Sequence, residues 1–185
     1  MGTLFVDKLD PQSGTSLELG SSGDTITIPS GATITNNGTA TNFGFTAKNF
    51  FNVYNPSNNV ANDTLTKIIF QSENFDTASA YDTSNGRFTV PSGESGKYFL
   101  YAKIRHFATT SMTRQKIQIH KNGSKVAMFE NKGDNIYNSI AVSHITQLSA
   151  GDYMEVYYEQ NSGSSNDLSQ FANSPENEFS GYRIA

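Results

Sequence analysis

The chain has 185 residues, which suits one ordinary domain with an appendage or one large all-β domain. It contains no cysteine, and this excludes a disulfide framework, a zinc–thiolate site and a cysteine nucleophile. The net charge is −4 and the basic residues are scattered, which argues against nucleic-acid binding through a basic patch. Ser, Thr and Asn total 59 residues, and 13 Phe and 9 Tyr are available for a core. This composition is typical of a β-rich protein with polar turns.

The first residues contain neither the basic region nor the apolar stretch of a secretory signal peptide. No apolar run in the sequence is long enough to cross a membrane. We therefore expect a protein that is synthesised in a cytoplasm and does not insert into a membrane.

Residues 1–44 form a distinct N-terminal segment because they carry only two of the aromatic residues, Phe5 and Phe43. Such a segment cannot build a core of its own. Residues 24–29 and 30–35 alternate between apolar and polar side chains, which predicts two short strands in an extended stalk. These strands would pair with another chain or a neighbouring surface; the alternative is a free polar linker. The apolar side chains available for attachment are Phe5, Val6, Leu9, Ile26, Ile28 and Ile34.

Residues 45–185 form a second region, in which short strand patterns alternate with turn signals and helical periodicity is not evident. Residues 116–120 and 125–129 flank Asn122-Gly123, which predicts a two-residue hairpin. Further strands are predicted at residues 64–70, 87–90, 98–107, 139–148, 152–159 and 179–185. Strands at this spacing predict an all-β sandwich or jelly roll.

The strand that begins at Tyr98 suggests a contact between chains. Tyr98 and Leu100 start one face of its alternation, and Phe99 and Tyr101 start the other. A sandwich strand needs only one buried face, so the second pair of aromatic residues is too apolar to be left in water without a reason. We interpret this face as an interface. The alternative is that these rings cap a loop or are singly exposed, as happens in monomers.

Four motifs occur in one order within residues 45–185. They are residues 81–82 with 85–91 and 96–100, then 121–123, then 147–156, and finally 179–184. Together they resemble the complement C-one-q globular-head family of the tumour-necrosis-factor-like jelly-roll superfamily. The resemblance implies a ten-stranded jelly-roll head that forms a homotrimer and binds other molecules through its surface. It does not imply catalysis. It also implies that Phe99, Tyr101, Tyr157 and Phe179 lie at the trimer interface.

Residues 3–44 resemble the leader of short virion structural proteins of tailed bacteriophages, in which Leu-Asp-Pro and Thr-Ile-Thr-Ile-Pro-Ser-Gly stretches precede a fibre head. The chain also lacks the collagen Gly-X-Y stalk of animal members. The resemblance implies a virion-surface appendage whose first 44 residues attach to other virion structural proteins. Its head would bind a host cell-surface glycan or outer-membrane protein through polar loops. The alternatives are a purely structural decoration or connector protein, and a polysaccharide-degrading enzyme.

The carboxylates do not form a pattern that predicts catalysis, and no nucleophile elbow, Walker loop or His-Glu-x-x-His motif is present. Glu155 and Glu159 share one face of a strand, and Asp167, Glu176 and Glu178 lie in a polar segment near the end. We expect them to be solvated and not to face each other across a cleft as glycosidase carboxylates do. The protein is therefore predicted not to be an enzyme.

The histidines do not predict a metal site either. His106, His120 and His144 lie on three different predicted strands without metal-ligand spacing, and His120 is expected to be exposed. We expect no cofactor. Calcium bound by loop oxygens is a weaker alternative, because the sequence has no Asp-x-Asp-x-Asp spacing.

Overall fold

The computed structural model describes residues 9–38, 50–56, 59–107, 112–132, 137–168 and 176–184. The chain divides into two units, Met1–Gly44 and Phe45–Ala185, which are described separately below.

Residues 9–38 of the N-terminal unit contain turns and extended segments but no strand. One turn is closed by hydrogen bonds between Ser21 and Asp24, and a second by the Ala32 amide donating to the Pro29 carbonyl at 3.1 Å. Residues 24–29 and 30–35 are therefore extended but form no strand in the single chain, and their pairing with another chain stays a prediction. A strand needs a hydrogen-bonding neighbour, and these residues have none within the described part of their own unit.

The second unit is an all-β jelly roll with thirteen strands among its described residues. They are β1 Phe50–Pro56, β2 Asn59–Val60, β3 Thr66–Ile68, β4 Phe70–Asp76, β5 Tyr81–Asp82, β6 Arg87–Thr89, β7 Gly96–Phe107, β8 Gln115–Lys121, β9 Ser124–Asn131, β10 Tyr137–Leu148, β11 Tyr153–Gln160, β12 Asn166–Asp167 and β13 Glu178–Arg183. The predicted fold class is confirmed. The number of strands exceeds ten because several segments are only two or three residues long.

Two antiparallel sheets pack face to face. Sheet I has the order β10-β7-β13-β1-β4. Sheet II has the order β5-β6-β11-β8-β9, with β3 also paired to β11. A separate two-stranded pair joins β12 and β2. The predicted strand at residues 64–70 is divided between the sheets, since β3 pairs with β11 of sheet II and β4 pairs with β1 of sheet I.

The core lies between the sheets and is built by the period-two alternation of their strands. Tyr98, Leu100, Ala102 and Ile104 of β7 are buried there, as the alternation predicts. Phe51 of sheet I stacks on Phe88 of sheet II with ring centroids 4.4 Å apart. Aromatic burial of this kind contributes a large share of core stability.

Two turns depend on backbone conformations that favour glycine. In the β8–β9 hairpin, Asn122 and Gly123 have φ angles of 50° and 78°, as the Asn-Gly signal predicts. Gly86, just before β6, has a φ of 71°, and a Cβ there would lie 2.7 Å from the Ile68 carbonyl oxygen. Both turns therefore fix which strands become neighbours in sheet II.

Candidate functional site

A row of apolar side chains crosses the outward face of sheet I. The register places Phe50 opposite Tyr182, Tyr182 opposite Phe99, and Phe99 opposite Ile145. The rings of Phe50 and Tyr182 stack at 6.0 Å, and those of Phe99 and Tyr182 lie 5.4 Å apart. Ile145 is 61% exposed and Tyr182 is 42% exposed. We call these four residues the apolar row.

The same face becomes polar farther along the strands. Tyr101 lies between Ser180 and Ser143, next to the apolar row. Burial, with a smaller contribution from the negative charge of Glu178, raises the pKa of Tyr101. Glu178 in turn accepts a hydrogen bond from Asn52 Nδ2 at 3.0 Å and forms an ion pair with Lys103. A partner that covers the apolar row would therefore meet a fixed polar border.

The predicted interface residues do not share one surface. Phe99 and Tyr101 are on the outward face of sheet I. Phe179 is fully buried in the core, where its ring meets Phe51 edge-on at 4.9 Å, so its assignment to the interface is wrong. Strand β13 directs Phe179 inward and Tyr182 outward, because residues three apart in a strand lie on opposite faces.

Tyr157 is on the outward face of the other sheet, where it pairs with Lys67 and Gln118. Its assignment to the same face as Phe99 is therefore wrong. Ile145 and Tyr182 were missed, although the alternation in β10 and β13 could have placed both beside Phe99 once strand order was known. A contact of Phe99 and Tyr101 with another chain stays a prediction.

One lateral edge of the sandwich is also apolar. Strand β9 is the last strand of sheet II, and β10 is the last strand of sheet I. Phe129 of β9 pairs with Ile117, which is fully buried, yet Phe129 is 49% exposed because no further strand covers it. Met128 is similarly exposed. An edge strand with apolar side chains and unpaired backbone groups is a typical site of association.

The outward face of sheet II is charged. Glu155 is only 3% exposed and binds Lys67 Nζ at 3.0 Å and Arg87 Nη2 at 2.9 Å through Oε1. The Tyr157 hydroxyl donates to Glu155 Oε2 at 3.3 Å. Burial raises the pKa of Glu155, but the bonds from Lys67 and Arg87 outweigh burial and hold the pKa below its usual value. The expectation of a solvated Glu155 is therefore wrong.

His120 is next to this carboxylate in the cross-strand register. Its ring stacks on Tyr157 at 4.2 Å, and its Nε2 lies 2.8 Å from Gln118 Oε1. His120 is buried, contrary to the predicted exposure, because the neighbouring Tyr157 ring covers it. Burial is the main cause that lowers its pKa.

A second buried histidine lies in the core. His106 is fully buried beside Tyr158, with ring centroids 5.7 Å apart. Neither ring nitrogen has a hydrogen-bond partner in the described part of the chain. Desolvation lowers the pKa of His106 to about 4, so the ring is neutral at physiological pH.

The histidines and carboxylates of the described residues do not form a metal-binding cluster. Among them, no group of three or more His, Asp or Glu side chains could hold a metal ion. Glu159 binds Arg114 and Lys116, and Glu178 binds Lys103, so these carboxylates are engaged in ion pairs. The same described ranges contain no helix long and apolar enough to span a membrane.

The sandwich is a jelly roll, and solved structures share this fold at low sequence identity. The Eiger TNF of S. frugiperda aligns with a TM-score of 0.56 at 12% identity, covering 76% of this chain and 94% of that one. Murine APRIL at pH 5.0 aligns with a TM-score of 0.53 at 15% identity, covering 74% of this chain and 98% of that one. The globular domain of the zebrafish complement 1qA protein aligns with a TM-score of 0.51 at 16% identity, covering 75% of this chain and 98% of that one.

The family model described as C1q domain matches residues 45–184. The chain therefore belongs to the C1q domain family. No curated protein sequence matches it. Domains of the C1q and TNF type are generally non-enzymatic binding or structural modules, and they typically form homotrimers.

Proposed function

We propose that this chain is a non-enzymatic, homotrimeric structural and adhesion protein of a bacteriophage particle. The observation that carries the trimer is the apolar row on sheet I. The apolar row is a continuous strip across four strands, and no other part of the described head unit covers this strip. Covering such a strip removes apolar surface from water and is favourable.

The apolar edge at β9 and β10 supplies a complementary surface for this row. Contact between the face of one chain and the edge of the next is heterologous, and such contacts close into a ring when the rotation between chains fits. Phe129, half-exposed at the edge, and Ile145, exposed at the end of the row, would then both be buried. The two apolar surfaces of one chain would thus be satisfied by two neighbours.

The N-terminal residues 1–44 would attach the trimer to other virion proteins. Leu9, Ile26, Ile28 and Ile34 are each about half exposed in the described part of this segment, whereas Phe5 and Val6 lie outside the described residues. Exposed apolar side chains on extended backbone are suited to strand addition at the edge of a partner sheet. The resemblance of residues 3–44 to phage virion leaders supports this role.

The head would face outward from the virion and bind a glycan or outer-membrane protein of the host surface. Weak contacts would be multiplied threefold within a trimer and again over the particle, which can raise apparent affinity by about 10²–10⁴. The protein would be made in the host cytoplasm and then assembled onto the virion.

Three measurements test this proposal. Size exclusion with light scattering should give about three times the chain mass of 20.2 kDa; a monomer at micromolar concentration would contradict the trimer. In a phage that carries the gene, deletion of residues 1–40 should abolish incorporation into virions. The purified trimer should inhibit adsorption of that phage without releasing sugar from host polysaccharide. Incorporation without any effect on adsorption would leave only a decoration role, and sugar release would show an enzyme.

A further inference from the structure

The N-terminal unit contains a short internal repeat. The pattern Ser-Gly-x-Thr-Ile-Thr occurs at residues 22–27 and again at residues 30–35, eight positions later. Each copy starts inside the same kind of turn, in which a backbone amide donates to the carbonyl three residues before it. The glycine of the turn has a φ of 94° at Gly23 and 87° at Gly31, as in a type II turn. The two copies therefore agree in backbone structure as well as in sequence.

The extended part of each repeat is an isoleucine between two threonines. Ile26 and Ile34 are the equivalent positions, and they are 59% and 51% exposed in the single chain. Alternation along an extended backbone places the isoleucine on one face and the threonines on the other. Within the described part of the unit, neither Thr-Ile-Thr stretch has a hydrogen-bonding neighbour strand. Each repeat therefore has the side chains of a strand that belongs in a sheet but lacks the rest of the sheet.

One chain has too few repeats to cover these apolar faces by itself. Stacked repeats bury their apolar sides against neighbouring repeats, and at least three are needed for a stable stack. The described part of the N-terminal unit has two copies of the pattern. The missing neighbours must then come from another chain.

The charge of the segment favours further copies of the same chain. Residues 25–38 contain no Asp, Glu, Lys or Arg. Asp24 is engaged in its own turn, where Oδ2 accepts the Ser21 amide at 2.7 Å. Identical strands can therefore lie side by side without repulsion between like charges. Short segments of high β propensity and low charge pair readily with their own copies, whereas a different protein would find no charged group here to recognise.

We propose that residues 22–35 of three chains associate into a β-structured stalk, with Ile26 and Ile34 on its inner face and the threonines in water. The inference rests on the proposed homotrimer, which brings three copies of the segment together. It narrows attachment to other virion proteins to the residues before the repeats, among which Leu9 is half exposed.

Engineered cysteines test this arrangement in the full chain, which has no natural cysteine. Ile26→Cys and Ile34→Cys place a thiol on the inner face, and Thr27→Cys and Thr35→Cys are matched controls on the outer face. A disulfide forms only where two Cα atoms lie about 4.4–6.8 Å apart and their Cβ atoms point toward each other. Under mild oxidation, the isoleucine variants should give a product of about twice the chain mass of 20.2 kDa on non-reducing gels. The threonine variants should stay single chains.

Cross-linking at an isoleucine position that does not exceed cross-linking at its threonine neighbour would overturn the inference. Equal cross-linking at all four positions would show a free linker. Hydrogen exchange of the unmodified protein is a second measurement, because the Thr-Ile-Thr amides are protected in a stalk and exchange at the rate of an unfolded chain in a linker.

Protection of these amides only in assembled virions would show that a different protein covers them, and this would also overturn the inference. Light scattering separates the two proposals. If the protein is a trimer and the isoleucine variants do not cross-link, the proposed function stands and only this inference fails. A monomer without cross-links would contradict both.

Discussion

The substitution Ile145→Asp should convert the trimer into folded monomers. Ile145 is 61% exposed in the single chain, so its replacement costs the isolated head little. In a trimer built on the apolar row, the side chain is buried in each of three equivalent contacts. Losing its apolar burial removes about 1–2 kcal/mol per contact. An unpaired carboxylate in the contact adds at least about 3 kcal/mol.

Because every contact carries the substitution, the trimer loses about 12 kcal/mol or more in total. Each 1.4 kcal/mol is about a tenfold change in the association constant, so the variant should be monomeric at micromolar concentration. Light scattering after size exclusion measures the mass, and circular dichroism shows whether β structure is retained. Leu65→Asp is a matched control, since Leu65 is 40% exposed beside sheet II and should leave the trimer intact. A trimeric Ile145→Asp protein with an unchanged melting temperature would refute the placement of this row at the interface.

Three further predictions concern the stability of the head. A chain that begins at Gly44 should unfold cooperatively with β-type circular dichroism, because the aromatic core residues lie in β1 to β13; loss of cooperativity would show that the leader belongs to the head. Burial depresses the pKa of His106 from 6.5 to about 4. The contribution of the neutral ring to the free energy of unfolding is therefore fully present above pH 6.5 and is lost as the pH falls toward 4. Urea titrations should show the free energy of unfolding falling by about 3 kcal/mol over this pH range. The variant His106→Phe should lack this part of the pH dependence. Gly86→Ala should lower stability by about 2 kcal/mol or more, because of its positive φ and the 2.7 Å approach to Ile68; an unchanged urea midpoint would contradict this.

The sequence predicts those elements whose signal is local. The buried face of β7 follows from alternation over one strand, and the β8–β9 hairpin follows from the conformational preference of Asn122-Gly123. Strand β4 runs to Asp76, beyond the end of the strand predicted at residues 64–70. Its residues are mostly polar because the strand lies at the edge of sheet I, so its alternation is weak.

The face of a strand is harder to predict than its existence. Phe179 and Tyr182 are both aromatic and lie on opposite faces of β13, and the sequence does not show which of them faces the core. That choice is made by the neighbouring strands, since a shift by one residue exchanges the two faces. The ring of Phe179 packs against Phe51 and Phe70, which precede it by more than a hundred residues in the chain.

The environment of Glu155 could not be predicted for the same reason. Its partners Lys67 and Arg87 precede it by 88 and 68 residues and come from two different strands. Only the pairing of β3 and β6 with β11 brings both cations to one carboxylate. Without that pairing, a lone glutamate on the outward face of a strand is expected to be solvated.

The contrast between the two outward faces gives the proposed trimer its orientation. On sheet I, covering Phe99, Tyr182 and Ile145 removes apolar surface from water, and these three side chains carry no charge that would be desolvated. On sheet II, the same act would desolvate Arg87, Lys67 and the carboxylate between them, and desolvation of paired ions is rarely repaid in full. Association through sheet I is therefore favoured over association through sheet II. The charged face is then left in water, where its ion pairs stay solvated.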